Sequence, residues 1–442
     1  MSGWTVTFSR CPGVVEHNSS RLTAIEAGRH AGLGYHEESG GMARDRRAIL
    51  VDARVNAFPG AHGIARSVMK LVAHFERGDD DLALKVLVNP GKQQIFPVSD
   101  LPAHAELVGT DISLGAVHRC VELARLIRSA GAAVLYVPFP PFTPLILPCP
   151  VVVTLHDCMQ EGQATFAGGW HRQTGLKIAT SLVVRRAAAI TAPSSASLAD
   201  IRRRYPYARY PTVVPNGVDI GQFAPATTAD ITTARDLYGL PDRYILTVGA
   251  QRPHKNHEVL VRSLAALPAH VSLVIVGYPD PLFPQQMPEL IARLGLQERV
   301  RLVPDVADRW LPAVYSAASV FALPSLAEGF GIPVLEAMAC GVPVVASDIP
   351  PLAEVTRGAA PLVDPRDVPG WTTVLGNVLS DHAFSDRLAR AGAEVARSVT
   401  WRRGAAALRS LLARVAAGRS PTERDISPPD RLTAPGAAAA AR

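Results

Sequence analysis

From residue 46 to about residue 400, short apolar runs alternate with segments of helical period. In the second half the runs are YILTVG (244–249), VSLVIVG (271–277), VRLVP (300–304), VFALPS (320–325), VPVVAS (342–347) and PLVDP (361–365). Between them stand segments such as NHEVLVRSLAAL and ADRWLPAVYSAA. Continuous Val/Ile/Leu runs without polar alternation are strands buried on both faces, and their alternation with helices predicts a parallel sheet covered on both sides. The first half repeats the pattern less cleanly, through RAILVDAR, GIARSVMKLVAHFER, LALKVLVNP, VLYVP, VVVTLHD, ITAPS and TVVPNGVD.

A composition shift at about residues 222–238 reads as a linker, so the pattern predicts an α/β chain of two doubly wound domains, 46–222 and 223–400. A helix beginning near Trp401 (401–418) is expected to cross back to the first domain. Residues 1–45 lack periodicity and 419–442 are rich in Pro, Ala and charge, so both are expected as disordered extensions. In doubly wound sheets ligands bind beyond the carboxyl ends of the strands, so two such domains imply a cleft between them.

Composition adds little to this picture except in charge and cysteine. The 45 Lys and Arg against 39 Asp and Glu give +6, which favours anionic partners such as nucleotides, phosphates, nucleic acid or anionic lipid. The five cysteines form no CxxC, so no zinc site or disulfide framework is expected, and a reducing cytoplasm fits. No secretory signal is read before residue 40. The charge-free stretch from Ala130 to Leu155 mimics a membrane span but carries six prolines, so two buried strands joined by a loop are expected instead.

The chemistry concentrates in loops after strands. In EGFGIPVLEAMACG, Glu328 precedes Gly329-Phe330-Gly331, Pro333 suits the start of a helix, and Gly341 suits its end. A helix amino terminus facing that loop would attract a phosphate or a developing anion. The spacing puts Glu336 in the first turn, either beside Glu328 in a site or merely compensating the helix dipole. In VGAQRPHKNHEVL, Arg252, His254 and Lys255 follow a strand of the same domain, with Asn256 as a helix cap, and are placed for a diphosphate. His156 stands directly after VVVT, and Gly63 lies in a glycine loop after the first strand, GAHGIARSV. That loop lacks both GxGxxG and GxxxxGK[ST] spacing.

Together these residues resemble the retaining, GT-B-fold glycosyltransferases of the GT4 type. EGFGIPVLEAMACGVPVVASDIPPLAEV carries the specific E-x7-E pattern, and looser matches extend over most of residues 48–416. The resemblance implies two Rossmann-like domains and a hexosyltransferase that moves a sugar from a nucleoside-diphosphate sugar to an acceptor hydroxyl. Glycan or glycolipid assembly is the implied setting. Position by position, it implies Glu328 on the transferred sugar and Glu336 on the ribose hydroxyls. The backbone of Gly329, Phe330 and Gly331 would meet sugar and diphosphate, and Lys255 and Arg252 would lie on the diphosphate. His156 would line the sugar site, Gly63 would sit across the cleft, and the base would rest near Pro304. It also implies front-face displacement, with no cofactor and no metal. The chain departs from the family in having His254-Lys255 where relatives carry Arg-Lys, and His62-Gly63 where a double glycine is common. PHKN and PSLAEGFG are similar to mannosyltransferases that use GDP-mannose.

Two other classes stay open. IRRRYPYARY (201–210) interleaves arginine and tyrosine as a nucleic-acid binder does, or as a contact for anionic lipid at the inner face of a membrane. A dinucleotide oxidoreductase would share the fold but lacks its glycine fingerprint here. Asp79-Asp80-Asp81 carries a D-x-D pattern in a polar turn, where a metal role is not expected.

Overall fold

The computed structural model describes residues 47–419 apart from 58–61, 79, 115, 141–142, 144–146, 160–163, 168 and 284–285. The terminal extensions, Asp79, and part of the glycine loop before Gly63 lie outside the described residues.

The first domain holds β1 (Ala48–Asp52), α1 (His62–Ala73), β2 (Ala83–Val88), β3 (Ala105–Gly109), α2 (Cys120–Ser129), β4 (Ala132–Val137) and β5 (Val151–Thr154). It continues through α3 (Ala164–Ala167), α4 (Trp170–Arg186), β6 (Ala189–Ala192), α5 (Ser195–Arg204) and β7 (Pro211–Val213). The strands form one parallel sheet of order β3-β2-β1-β4-β5-β6-β7. β1 shows why a continuous apolar run is needed: all five residues are buried. Ile49 and Val51 enter the core on one face and Leu50 the core on the other.

The second domain comprises α6 (Thr228–Tyr238), β8 (Tyr244–Val248), α7 (His257–Leu264), β9 (Ser272–Val276), α8 (Met287–Arg293), β10 (Val300–Val303) and α9 (Leu311–Ser316). It goes on with β11 (Val320–Leu323), α10 (Ile332–Ala339), β12 (Val344–Ser347), α11 (Pro350–Thr356), β13 (Leu362–Val363), α12 (Val368–Ser380) and α13 (His382–Ser398). Its parallel sheet runs β10-β9-β8-β11-β12-β13. Strand order reverses at β8, which pairs with β9 on one side and β11 on the other. The crevice between the carboxyl ends of β8 and β11 is therefore the switch point where such sheets take ligands.

The last helix, α14 (Trp401–Ala416), sends Trp401, Ala405, Leu408, Leu411, Leu412 and Val415 into the core of the first domain. Arg409 on the same helix forks onto Asp80 at 2.8 and 2.5 Å, which engages the middle carboxylate of the Asp79-Asp80-Asp81 run. Both sheets belong to one compact unit.

Four local expectations need correction. Most of the segment read as a linker is α6, capped by Thr227, whose side chain accepts from the Asp230 N–H. The strand β3 went unread because it is an edge strand with no buried residue and no continuous apolar run. Asn256 is not a side-chain cap: it sits at φ 53°, and its amide donates to the Pro324 and Pro365 carbonyls at 2.9 and 2.7 Å. Glu336 lies past the first turn of α10, which holds no acidic residue, and it is buried. In the charge-free stretch, β4 and β5 run as strands, and among the described residues no helix is long and apolar enough to cross a membrane.

Candidate active site

The loops after β8 and β11 meet at the switch point. A short 3-10 turn, Pro253–Lys255, brings the lysine back over the strand end. The Leu326 N–H donates to the His254 carbonyl at 2.7 Å, and the Asn256 amide ties both loops to the one after β13. In this frame the Lys255 Nζ donates to Glu328 Oε1 at 2.6 Å, and the Ser325 hydroxyl donates to the same oxygen at 2.6 Å. The two charged side chains are 15% and 9% exposed, so their attraction is weakly screened. Both bonds fall on Oε1. Among the described residues no protein donor is assigned to Oε2, which keeps its lone pairs for a ligand hydroxyl.

Gly329 and Gly331 serve different needs. Gly331 stands at φ 103°, a conformation that only glycine adopts readily, and it starts α10. A Cβ on Gly329 would land on the His156 carbonyl oxygen of the first domain. The loop of one domain thus lies against the end of β5 in the other.

His156 has a buried Nε2 without a partner among the described residues. Burial pushes its pKa down to about 4, partly opposed by the bond to the Pro138 carbonyl. The ring is therefore neutral near pH 7. With the other nitrogen donating to Pro138, Nε2 is an acceptor facing no protein donor, suited to a hydroxyl and not to proton removal.

Glu336 is built differently. Its Oε1 accepts from Arg66 at 2.8 Å, and its Oε2 accepts from the Tyr315 hydroxyl at 2.8 Å. Arg66 comes from α1 in the first domain, also reaches Asp308 at 2.9 Å, and lies over the rings of Phe96 and Phe223. Burial alone would depress the arginine pKa, but Glu336 and Asp308 hold it above the ordinary value. Burial, with Glu336 beside it, pushes Tyr315 well up, so it stays a donor. Glu328 and Glu336 are thus two separate carboxylates, one with an open oxygen and one with both oxygens engaged.

The remaining predicted residues are more scattered. The Arg252 Nε donates to the buried Asp280 at 2.6 Å, so part of its charge is committed to a protein partner. His254 is buried against Phe166, and burial drives its pKa well down, so it adds no cation to the loop. Gly63 lies at the start of α1, and among the described residues a Cβ there would meet nothing within 4 Å, so none of them demands glycine. Pro304 is exposed at the end of the edge strand β10, with β9 between it and β8. Phe330 is buried in the core beneath the loop. Arg66, Tyr315, Ser194, Ser197 and Glu354 shape this region and were not singled out from sequence. Arg66, Ser194, Ser197 and Glu354 act across the domain boundary, and Tyr315 reaches Glu336 from a neighbouring helix, contacts that no local spacing encodes. Among the described residues no group of three or more His, Cys, Asp or Glu is placed to hold a metal.

Comparison with known proteins bears on the same two domains. The profile of glycosyl transferases group 1 matches residues 233–395, and that of glycosyltransferase family 4 matches residues 62–222. The chain belongs to the group 1 glycosyltransferases of the GT4 type. This group 1 member is 35% identical over 276 residues to a D-inositol 3-phosphate glycosyltransferase of Salinispora tropica, covering 58% of this chain and 57% of that one. A protein of the same description from Xylanimonas cellulosilytica is 34% identical over 275 residues, with 60% and 66% covered. The chain thus spans 57% to 66% of the first curated relatives' lengths. Among solved structures, sucrose-phosphate synthase from Thermosynechococcus elongatus superimposes with a TM-score of 0.68 at 19% identity, covering 84% of this chain and 100% of that one. Anabaena HepE, solved with UDP and glucose, gives 0.66 at 21% identity, with 83% and 99% covered. These likenesses show the two-domain GT-B fold, with a cleft between two parallel-sheet domains.

Proposed function

We propose that this protein transfers a hexose from a nucleoside-diphosphate sugar to an acceptor hydroxyl, with retention at the anomeric carbon. The observation that carries the reading is the Lys255–Glu328 pair at the switch point, 2.6 Å apart, with His156 of the other domain against the same loop. Breaking the bond from anomeric carbon to phosphate oxygen leaves charge on the nucleoside diphosphate. Lys255 and the amino terminus of α10 stabilise that charge where it develops, with Arg252 as second cation. Glu328 Oε2 and His156 Nε2 accept hydroxyls of the transferred sugar. Glu336 takes the ribose hydroxyls once Arg66 moves off it. In front-face displacement, the acceptor hydroxyl gives its proton to a leaving phosphate oxygen, so neither glutamate has to move a proton.

The sugar and base are finer matters. The motif likeness pointed to GDP-mannose, whereas HepE was solved with UDP, glucose and UDP-glucose. We rank UDP-hexoses first and GDP-mannose second, with a glycan, lipid-linked or polyol-phosphate hydroxyl as acceptor. A thermal-shift panel of UDP, GDP, ADP and dTDP separates them, because a ligand that binds only the folded state raises the midpoint. A midpoint unmoved by all four contradicts the reading.

The setting we propose is cytoplasmic, at the face of an anionic membrane. Among the described residues Cys120, Cys149 and Cys340 are free thiols, which fits a reducing compartment. Helix α4 exposes Trp170, Ile178 and Leu182 (63%, 57% and 42%) beside exposed Arg172, Lys177 and Arg186. Exposed apolar side chains interspersed with cations suit an anionic lipid surface. Arg185 stacks on Tyr207 at 4.0 Å, which holds the loop after Arg202, Arg203 and Arg204 against this helix. Tyr205 of that loop is buried in the core and offers no stacking surface to a nucleic acid. Flotation with phosphatidylserine liposomes is expected to recover the wild type and lose an Arg202/Arg203/Arg204→Ala variant; equal recovery, or none, refutes the membrane setting.

A further inference from the structure

The amino terminus of α5, in the first domain, is occupied by a side chain of the second. Glu354, on α11, accepts from the Ser195 N–H with Oε1 at 3.0 Å and from the Ala196 N–H with Oε2 at 3.1 Å. The next N–H, on Ser197, is capped by the Ser194 hydroxyl oxygen at 3.0 Å. The first three donors of a ten-residue helix are therefore all satisfied, two of them by a carboxylate from the other domain. The same two serines reach back across the boundary. The Ser194 hydroxyl donates to the Gly329 carbonyl at 2.8 Å. The Ser197 hydroxyl donates to the Gly329 carbonyl at 2.8 Å and lies 3.3 Å from the His156 carbonyl, so its single proton is shared between the domains.

These contacts converge on the loop that carries Glu328. Helix α11 is also the support of that loop, since a Cβ on Gly331 would meet Leu352 at 2.5 Å. One end of α11 thus props the Gly331 turn while Glu354 holds the helix to α5, and Ser194 and Ser197 hold Gly329 beside His156. Glu354 itself is only half-buried, so the bond can break and form as the domains part and meet. We infer that Glu354, Ser194 and Ser197 are positioning residues: they form a clasp that sets Glu328 at its working distance from His156 each time the domains close. Glu354 acts through the α5 amino terminus and touches no substrate.

This inference rests on the transferase reading, and its test carries one readout that does not. Hydrogen exchange is followed on the amides of residues 194–198 and 328–332 in wild type, Glu354→Ala, Glu354→Gln and Ser197→Ala. In parallel, kcat for nucleoside-diphosphate release and the Kd for the nucleoside diphosphate are measured. A displacement of about 1 Å at a reacting centre costs on the order of 100-fold. Glu354→Ala is therefore expected to speed exchange in both segments and to lower kcat about 10- to 100-fold. Nucleotide Kd is set by second-domain groups and by Arg66 on Glu336, none of which Glu354 contacts, so it should stay within about 2-fold, and Glu354→Gln, with one acceptor left, should fall between. Unchanged exchange overturns the clasp, and so does a Kd that weakens in step with kcat, since that marks damage to the donor domain. If the wild type turns over no donor, the transferase reading fails alone, and the exchange data still decide whether Glu354 holds the loop.

Discussion

Replacing Arg66 by methionine keeps an aliphatic side chain between Phe96 and Phe223 and removes the cation. Glu336, only 5% exposed at its side chain, then retains the Tyr315 hydroxyl and loses the guanidinium at 2.8 Å. Stripping one partner from a buried ion pair costs about 3–5 kcal/mol. The loss of the contact to Asp308 adds little, because that carboxylate is 48% exposed and such pairs are worth about 0–1 kcal/mol. For a domain of this size about 1 kcal/mol moves Tm by roughly 2–4 °C, so the ligand-free variant should melt about 6–20 °C lower. A nucleotide changes this balance. Its two ribose hydroxyls can donate to Glu336 and replace the guanidinium, whereas in the wild type they must first displace it. Differential scanning fluorimetry with and without saturating nucleoside diphosphate therefore reads the competition. The variant should show the lower Tm alone and the larger rise with nucleotide. A nucleotide-induced rise equal to or smaller than that of the wild type would falsify the assignment of Glu336 to the ribose.

Other perturbations separate the parts of the account. Gly329→Ala has a permissible backbone, since Gly329 is not among the positive-φ residues, yet its methyl strikes the His156 carbonyl; kcat should fall about 100-fold with nucleotide Kd little changed, and a wild-type kcat contradicts the close approach. His257 is held neutral by burial, with Lys255 assisting, at a pKa of about 3, below its unfolded value near 6.5. The unfolded chain therefore binds the extra proton, and stability is lost as pH falls below about 6.5. His257→Gln should flatten urea-derived stability between pH 6 and 5 by about 1.4 kcal/mol per pH unit relative to wild type, and parallel curves refute the buried neutral ring. Leu408→Ala, in the crossing helix, empties a fully buried site and should cost about 2–5 kcal/mol in urea titration; a loss below about 1 kcal/mol means α14 does not pack on the first domain.

The parallel strands were legible because each is a continuous apolar run, and a strand buried on both faces can hardly look otherwise. The edge strand β3 was not, since one side of it meets water and its sequence, AELVG, carries no such run. The loops after β8 and β11 were legible as a site because glycine, proline and charge cluster where strands end. Their spacing could not say that Glu336 turns inward to Arg66, a residue 270 positions away in the chain. Nor could it reveal Glu354 on the α5 amino terminus, 158 and 159 positions distant. Contacts between domains depend on how two finished folds meet, which local periodicity does not record. Asn256 shows the same limit at short range: its type suggested a cap, but tertiary carbonyls at Pro324 and Pro365 claim its amide.

The central claim is that Glu328 serves the transferred sugar and not the nucleotide. Glu328→Gln keeps the size of the side chain and an acceptor for Lys255 while removing the carboxylate charge. Titration calorimetry with the nucleoside diphosphate and a product-release assay with the matching sugar donor, on wild type and variant side by side, test it most directly. The account predicts a nucleotide Kd within a few-fold of wild type and a turnover reduced by about 100-fold or more. Turnover at the wild-type rate, or loss of nucleotide binding with the fold intact, would contradict it.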